Sequence, residues 1–250
     1  NSSAASDVYK RQDQGIETIA DLLQDRDIPE WDTSIHYVTS DPVKTAYYIA
    51  VLDTMNFCFW PSAWSYTDGE NTYTGYNALA LSLKNAFERD VPLYDAGYLT
   101  GMTQDKLISI LGGRGAIPLI ERRAENLREL GQFLRERYDG NIMEFISEAE
   151  GSAVELAKML ADNLESYRDE AYYRGQKIKF WKRAQIFATD LYVSLGGVHP
   201  ADFHDMDSIT TFPDYRLPQI LRHYGAIVYD LSLIHISEPT RPLYISSAVF

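Results

Sequence analysis

The 250-residue chain has one cysteine, no long apolar run and fewer basic than acidic residues. The single cysteine, Cys58, excludes an internal disulfide framework. No stretch approaches the roughly 20 apolar residues that span a bilayer, so we expect a cytoplasmic protein without a membrane partner. The net charge of −13 argues against tight binding to a long nucleic acid, which requires clustered Lys and Arg. It leaves room for one nucleotide in a local pocket.

Both ends of the chain have a pattern typical of a DNA adapter. Residues 7–12, Asp-Val-Tyr-Lys-Arg-Gln, can be encoded by DNA whose reverse complement encodes Leu-Ser-Leu-Ile-His-Ile, the sequence of residues 231–236. An adapter joined to both ends of one insert produces this relation, whereas unrelated protein segments have no reason to show it. We therefore expect residues 1–12 and 231–250 to be adapter-derived and non-native, and residues 13–230 to be a domain incomplete at its C-terminus. The alternative is a native polar N-terminus and a native C-terminal pair of strands.

Helical signals dominate residues 13–230. Asp41 followed by Pro42 is typical of a helix N-terminus, and this helix should run to about Asp53. Asp-Gly between alternating Tyr and Thr at 66–73 predicts a short β-hairpin, and residues 176–180 one short strand. Further helices are predicted at 77–87, 103–112, 118–138, 142–150, 152–164, 183–195 and 218–224. The fold class is therefore a single all-α, or mainly α, domain with a small β-hairpin.

The segment Asp-Thr-Met-Asn-Phe-Cys-Phe-Trp at residues 53–60 is unusually aromatic. It could form a cradle for a flat base, with Phe57 contributing a stacking surface and Asp53 or Asn56 bonding the base edge. Base stacking on an aromatic ring contributes about 1–3 kcal/mol for any base, so the polar groups must supply the selection. The alternative is a buried aromatic plug.

A basic pair, Lys182 and Arg183, stands at the predicted start of a helix. Helix N-termini attract anions because their N–H groups are unpaired. In so acidic a chain, the pair is a candidate site for one phosphate. The alternative is two solvated basic side chains.

The segment Thr-Phe-Pro-Asp-Tyr-Arg-Leu-Pro-Gln at residues 211–219 places Asp214 between two prolines, which restrict the backbone. Phe212 could lower the local dielectric around this carboxylate. A fixed carboxylate beneath a sugar can stabilise, or attack, the oxocarbenium-like state of glycosidic cleavage. The alternative is that Asp214 only pairs with Arg216 or caps the next helix.

Histidines offer one further candidate and one that we reject. His36, ahead of the first core helix, could lie near a site, although a lone histidine is more often structural. His199 and His204, with Asp202 and Asp205, superficially suggest a metal cluster. They surround Pro200 without an HExxH or CxxC pattern, so we expect no metal site there.

Taken together, the chain resembles the queuosine salvage proteins, the queuosine 5′-monophosphate N-glycosylases. The matching stretches, in order, are residues 53–60, Tyr-Thr-Gly-Tyr at 73–76, Pro-Leu-Ile-Glu-Arg at 118–122, Lys-Arg-Ala-Gln-Ile at 182–186, and residues 212–219. The resemblance implies a helical fold distantly like that of helical DNA glycosylases. It also implies hydrolysis of queuosine 5′-monophosphate to release queuine, without a metal or organic cofactor.

The resemblance also implies roles for single residues. Asp214 matches the family's catalytic carboxylate, Phe212 and Asp214 match positions that contact the base, and His36 matches a base-contacting histidine. Lys182 and Arg183 fall in a family motif and are assigned by their chemistry as phosphate ligands, with Arg216 as a further substrate-binding residue.

One departure from the family affects the expected activity. The family places further substrate-binding aspartates downstream of the Phe-x-Asp-Tyr-Arg motif, beyond the point where this chain reaches the adapter-like tail at Leu231. We therefore expect a fragment that binds weakly or is inactive. Two other functions stay open: a non-catalytic binder of queuine or a modified nucleotide or tRNA, and a helical scaffold whose aromatic residues are all core.

Overall fold

The structure, a computed structural model, describes residues 9–24, 31–61 and 63–229. They belong to two compact units, a larger one from Trp31 to Phe212 and a smaller one formed by the residues up to Glu30 and from Pro213 onward. These described ranges contain ten α-helices and three two-stranded antiparallel sheets, which confirms the mainly α fold class. Over the same ranges, no helix is long and apolar enough to cross a membrane.

Helices and strands are numbered along the whole chain, so the larger unit begins with α2 and β2. Its helices are α2 (Pro42–Met55), α3 (Gly75–Glu88), α4 (Ala96–Thr100), α5 (Gln104–Leu111), α6 (Ile120–Tyr138), α7 (Ile142–Ser147), α8 (Ala153–Asn163) and α9 (Lys182–Ser194). Its strands form two hairpins, β2 (Ser65–Asp68) with β3 (Asn71–Thr74), and β4 (Glu170–Tyr173) with β5 (Gln176–Lys179).

Helix α2 is the centre of the larger unit. The Asp41 carboxylate accepts hydrogen bonds from the N–H groups of Val43 (2.9 Å) and Lys44 (3.3 Å), and Pro42 occupies the first helical position, as predicted. Every residue from Thr45 to Met55 is buried, as expected for a helix that is apolar all round. Helices α3, α6, α7 and α9 pack against it. The polar groups in its last turn therefore lie deep inside the unit.

Helix α6 crosses α4 so closely that only glycine fits at the crossing. A Cβ atom at Gly131 would lie 2.7 Å from the carbonyl oxygen of Ala96 and 2.7 Å from Cβ of Leu99. Such distances are far inside van der Waals contact, so the close packing of these two helices depends on the missing side chain.

The structure adds to the predicted elements and shifts some of their ends. The strand predicted at 176–180 is β5, and its partner β4 was not predicted. Helix α6 begins at Ile120 rather than at Pro118, because Leu119 adopts a left-handed conformation (φ 52°) that the α-helix cannot include. The short helix α4 was also not predicted, whereas Thr103 caps α5 as expected through its hydroxyl and the N–H of Lys106.

The smaller unit consists of β1 (Tyr9–Arg11), α1 (Asp13–Gln24), α10 (Arg216–His223) and β6 (Ile227–Tyr229). Strands β1 and β6 pair antiparallel, and the N–H of Gln12 donates to the carbonyl of Ala226 (2.9 Å). Strand β1 falls within the segment 1–12 that we predict to be adapter-derived. The other such segment, 231–250, lies outside the described residues, so both boundaries stay predictions.

Candidate active site

Asp53, in the last turn of α2, is a fully buried carboxyl group. Its relative exposure is 0%, and within the described part of the chain neither carboxyl oxygen has a hydrogen-bond partner of normal geometry. Burial, followed by the nearby carboxyl of Asp190, raises the pKa of Asp53 well above its ordinary value, while Asn56 and Arg183 oppose this shift. A charge in such a place is costly, so burial favours the neutral form of this carboxyl group.

Asp190 is the second carboxyl group of this region, and it was not predicted from the sequence. It lies on α9, which packs against α2, and it is half-buried. Burial raises the pKa of Asp190 to about 7. Burial thus raises the pKa of both carboxyl groups.

A histidine–tyrosine pair borders the two carboxyl groups. Nδ1 of His36 lies 2.8 Å from the carbonyl oxygen of Asp32. Since a carbonyl can only accept, Nδ1 carries the hydrogen, and Nε2 accepts the hydrogen bond from the Tyr76 hydroxyl (2.9 Å). Burial lowers the pKa of His36, which keeps the ring neutral. Burial, with Asp53 and Asp190, raises the pKa of Tyr76, which places this hydroxyl in the same electrostatic neighbourhood.

Two buried arginines hold the segment that follows Asp53. Arg183 donates to the carbonyls of Thr54 (2.8 Å) and Ser166. Arg123, which is 0% exposed, donates to the carbonyls of Pro118 (3.0 Å), Cys58 (3.0 Å), Met55 and Phe57. Cations at this end of α2 are favourable because the last carbonyls of a helix have no intrahelical partner. Both guanidinium groups therefore satisfy backbone at the C-terminal end of α2.

The same two arginines determine what Phe57 does. Its ring lies 4.4 Å from the guanidinium carbon of Arg123 and 4.9 Å from that of Arg183, and Phe57 is only 4% exposed. A ring enclosed in this way is part of the core. The geometry at Phe57 favours the buried aromatic plug over the cradle, whereas Trp60 is 68% exposed.

Of the two basic residues at the start of α9, Lys182 is the one at the surface. Lys182 is half-buried, and its backbone N–H donates to Oδ2 of Asp169 (2.8 Å). Arg183 is 3% exposed and is occupied by backbone carbonyls. Burial raises the pKa of Asp169 to about 6. Lys182 is therefore better placed than Arg183 to meet a phosphate.

The boundary between the two units falls within the motif at 211–219. Phe212 is the last residue of the larger unit, and Asp214 and Arg216 belong to the smaller one. Oδ1 of Asp214 accepts the N–H of Arg216 (2.9 Å), and its carbonyl accepts the N–H of Leu217 (3.0 Å), at the start of α10. Arg216 is exposed, with its guanidinium carbon 5.9 Å from the centre of the Tyr215 ring. Asp214 thus forms a tight turn just ahead of α10, and the hydrogen bond from Arg216 orients its carboxylate.

The histidines and aspartates near Pro200 have other partners. The Asp205 carboxylate accepts the Ser152 hydroxyl (2.6 Å) and the N–H of Ala153 (2.7 Å), which fixes the start of α8. His199 pairs with Asp202 at the surface (3.5 Å). Among the residues that the structure describes, no group of three or more His, Cys, Asp or Glu side chains could hold a metal ion.

Five of the predicted site residues lie around the C-terminal end of α2 and the first turn of α9: Asp53, Asn56, Phe57, Lys182 and Arg183. A sixth, His36, is joined to α3 by its hydrogen bond with Tyr76. Three residues that shape this region were not predicted: Tyr76, Arg123 and Asp190. Tyr76 had a signal, because it closes the Tyr-Thr-Gly-Tyr motif, whereas Arg123 and Asp190 stand in ordinary amphipathic helix patterns.

Comparison with known proteins adds a family to this geometry. The family model described as "Queuosine salvage protein" matches residues 35–244. A protein of Sphaerobacter thermophilus is 41% identical over 217 residues, which cover 86% of this chain and 67% of that protein. A Bos taurus protein is 36% identical over 193 residues (75% and 57%), and a Dictyostelium discoideum protein 38% identical over 189 residues (76% and 56%).

All three relatives carry the name "Queuosine 5'-phosphate N-glycosylase/hydrolase". This chain spans only 56–67% of their lengths. The matched range of the family model nevertheless contains most of the larger unit, with Asp53, Tyr76, Lys182 and Asp190, and the segment around Asp214. The chain belongs to the queuosine salvage protein family.

Proposed function

We propose that the protein hydrolyses the N-glycosidic bond of queuosine 5′-phosphate and releases queuine for salvage into tRNA modification. Support comes from the names of the relatives. The observation that carries the proposal is the fully buried Asp53 carboxyl group, whose oxygens accept no hydrogen bond of normal geometry within the described residues and whose electrostatic neighbours include Asn56, Tyr76 and Asp190. Polar groups buried without partners are rare unless they serve a site.

In this proposal the residues divide by chemistry. Lys182, at the positive end of α9, binds the 5′-phosphate. His36 and Phe212 contact the base, together with Asn56 and Asp53. Arg183 acts as a positioning residue, since it holds the backbone next to Asp53.

Asp214 is the catalytic carboxylate of the proposal. Its role is to stabilise the positive charge that develops on the sugar as the base departs, and its direction is fixed by the N–H of Arg216. Arg216 and Phe57 are the weakest members of the proposed substrate-binding set, because one is exposed and the other enclosed. No cofactor and no direct contact with nucleic acid are proposed, and the site is that of a soluble, cytoplasmic enzyme.

The proposal is tested with the full reading frame that encodes this chain, assayed by chromatography for queuine released from queuosine 5′-phosphate. Asp214→Asn should reduce release by about 10²–10³-fold, which is the usual loss when one group that stabilises the transition-state charge is removed. The matched control is Asp207→Asn, at an exposed position in the 3₁₀ turn Met206–Ser208; it should keep full activity.

A folded wild-type protein that binds queuine and releases none would contradict the proposal. That result, with binding unchanged in Asp214→Asn, would favour the non-catalytic binder. The hydrogen bond by which Asp214 stabilises the turn ahead of α10 gives it a structural role and is the observation that keeps this second function open.

A further inference from the structure

The hairpin of β4 and β5 is a basic part of a strongly acidic chain. Residues 170–182 include four basic side chains and one acidic side chain, whereas the whole chain has a net charge of −13. All positions from 172 to 179 except Ile178 are exposed. A chain of this net charge repels a phosphate group at long range, so attraction requires a local group of cations. The hairpin supplies such a group directly ahead of α9.

The pairing of the two strands places three charged side chains on one face of the hairpin. Glu170 lies opposite Lys179, and Tyr172 lies opposite Lys177. Because residues two apart in a strand point to the same side, these four side chains share that face. Lys177 forms an ion pair with Glu170. Two of the three charges therefore cancel, and the positive charge of Lys179 remains.

An aromatic ring holds the ammonium group of Lys179. Its Nζ lies 4.6 Å from the centre of the Trp181 ring. The ring is itself held in place, because Nε1 of Trp181 donates a hydrogen bond to Oε1 of Glu170 (3.4 Å). A ring contact of this kind restricts the side chain without neutralising its charge. Lys179 thus presents an oriented positive charge at the surface.

The start of α9 needs such a charge if it is to bind a phosphate. Lys182, the proposed phosphate ligand, begins this helix, and its backbone N–H already donates to Oδ2 of Asp169 (2.8 Å). The first N–H of the helix is therefore occupied, and attraction for an anion has to come from side chains. Arg183 is buried and donates to the carbonyl of Thr54 at the end of α2. Lys179 is the neighbouring exposed cation, and its contact is a neutral ring.

We propose that Lys179 is a second ligand of the substrate phosphate and that Trp181 positions its ammonium group for this contact. The inference rests on the proposed function and assigns the residues that favour a nucleoside 5′-phosphate over an uncharged ligand. A phosphate monoester carries about two negative charges at pH 7, and the ammonium groups of Lys179 and Lys182 offset them. One ammonium group at contact distance from such a dianion in water strengthens binding by about 5–30-fold.

The test uses the full reading frame, with KM and kcat for queuosine 5′-phosphate and the inhibition constant of queuine, a ligand without a phosphate. Lys179→Met should raise KM by about 5–30-fold and leave kcat and the inhibition constant of queuine unchanged. Lys179→Arg keeps the charge and should stay close to the wild type. Trp181→Leu releases the ammonium group without removing it, so KM should rise by only about 2–5-fold.

The chain offers a matched control for the loss of one such lysine. Nζ of Lys106, on α5, also lies over an aromatic ring, 3.4 Å from the centre of the Tyr98 ring. Lys106→Met removes the same charge and the same kind of contact outside the hairpin, and it should leave KM unchanged. Added salt gives a second readout, because ions screen an exposed charge. KM of the wild type should rise with salt concentration, and Lys179→Met should weaken this dependence.

The outcomes separate this inference from the proposed function. Hydrolysis with the same KM in the wild type and Lys179→Met overturns the role of Lys179 and leaves the proposed function intact. An equal rise in KM and in the inhibition constant of queuine also overturns it, because the loss then concerns the whole site. No hydrolysis by the folded wild type overturns both. If Lys179→Met does not fold, the wild type decides, because a KM that is independent of salt overturns the inference.

Discussion

Replacing Arg123 by methionine should cost the protein much of its stability. The guanidinium group is fully buried and donates to four backbone carbonyls, those of Met55, Phe57, Cys58 and Pro118. Burial lowers the pKa of Arg123 to about 9, so the group is still protonated at pH 7. Methionine fills a similar volume but leaves these carbonyls without their donor.

The magnitude follows from the groups left behind. A hydrogen bond from a charged donor contributes about 1.5–3 kcal/mol, and four such bonds are lost. The gain from no longer burying a charge offsets a large part of this loss, as it does for buried ion pairs. We expect Arg123→Met to lower the free energy of unfolding by about 3–5 kcal/mol, a large share of the roughly 5–15 kcal/mol that a domain has. Arg123→Lys should be intermediate, since an ammonium group cannot reach all four acceptors.

Urea unfolding followed by tryptophan fluorescence measures this effect. The matched control is Arg122→Met on the same helix, where the side chain is 47% exposed and pairs with Glu125 and Glu165 at 3.3 and 3.4 Å. Exposed pairs of this kind contribute about 0–1 kcal/mol. A loss below about 1 kcal/mol for Arg123→Met, or equal losses for the two variants, would refute the assignment of Arg123 as the donor that satisfies this backbone.

Three further predictions concern single contacts. Burial raises the pKa of Asp169 to about 6. The contribution of this group to stability is therefore present below its unfolded pKa and is lost as the pH rises through 6. In urea titrations, Asp169→Asn should lose less stability than the wild type between about pH 4 and pH 7. Tyr76→Phe removes the donor to His36 and should lower the free energy of unfolding by about 1–3 kcal/mol; an unchanged urea midpoint would contradict this. Gly131→Ala should lower the melting temperature by several degrees, about 1–3 kcal/mol, because its Cβ would lie 2.7 Å from neighbouring atoms. Gly101→Ala, whose Cβ would meet only one atom at 3.7 Å, is the control and should change the melting temperature much less.

Helices with local start signals could be predicted from the sequence. The Asp41–Pro42 pair and Thr103 act through the first turn of their own helices, and the structure confirms both caps. The β2–β3 hairpin was also predictable, because its turn residues are specified by a few neighbouring positions. In each case the determining contact spans only a few residues.

Elements without such signals could not be predicted. Strand β4 has one charged and two aromatic residues among its four, which is too short a pattern to predict a strand. It becomes a strand because β5 pairs with it. Helix α4 has five residues, too few for a visible period, and it is fixed by its packing on α6. The left-handed conformation of Leu119, which delays the start of α6, likewise leaves no mark in a hydrophobic pattern.

The site was only half predictable for the same reason. Asp53 stood out beside three aromatic residues, but the helix pattern around Asp190 is that of any amphipathic helix. Its significance comes from a partner on a helix far away in sequence. Arg123 likewise belongs to a charged run, Glu-Arg-Arg at 121–123, in which periodicity gives no reason for one arginine to be fully buried and the other to be exposed.

The two buried arginines link the fold of this region to its chemistry. Arg123 and Arg183 donate to backbone carbonyl groups, and within the described residues neither carboxyl oxygen of Asp53 accepts a hydrogen bond from a guanidinium group. A direct ion pair would favour the ionised form of Asp53 and lower its pKa. Because the arginines bind the backbone instead, they hold the chain next to Asp53, and the charge of Arg183 opposes only part of the effect of burial on the pKa of Asp53.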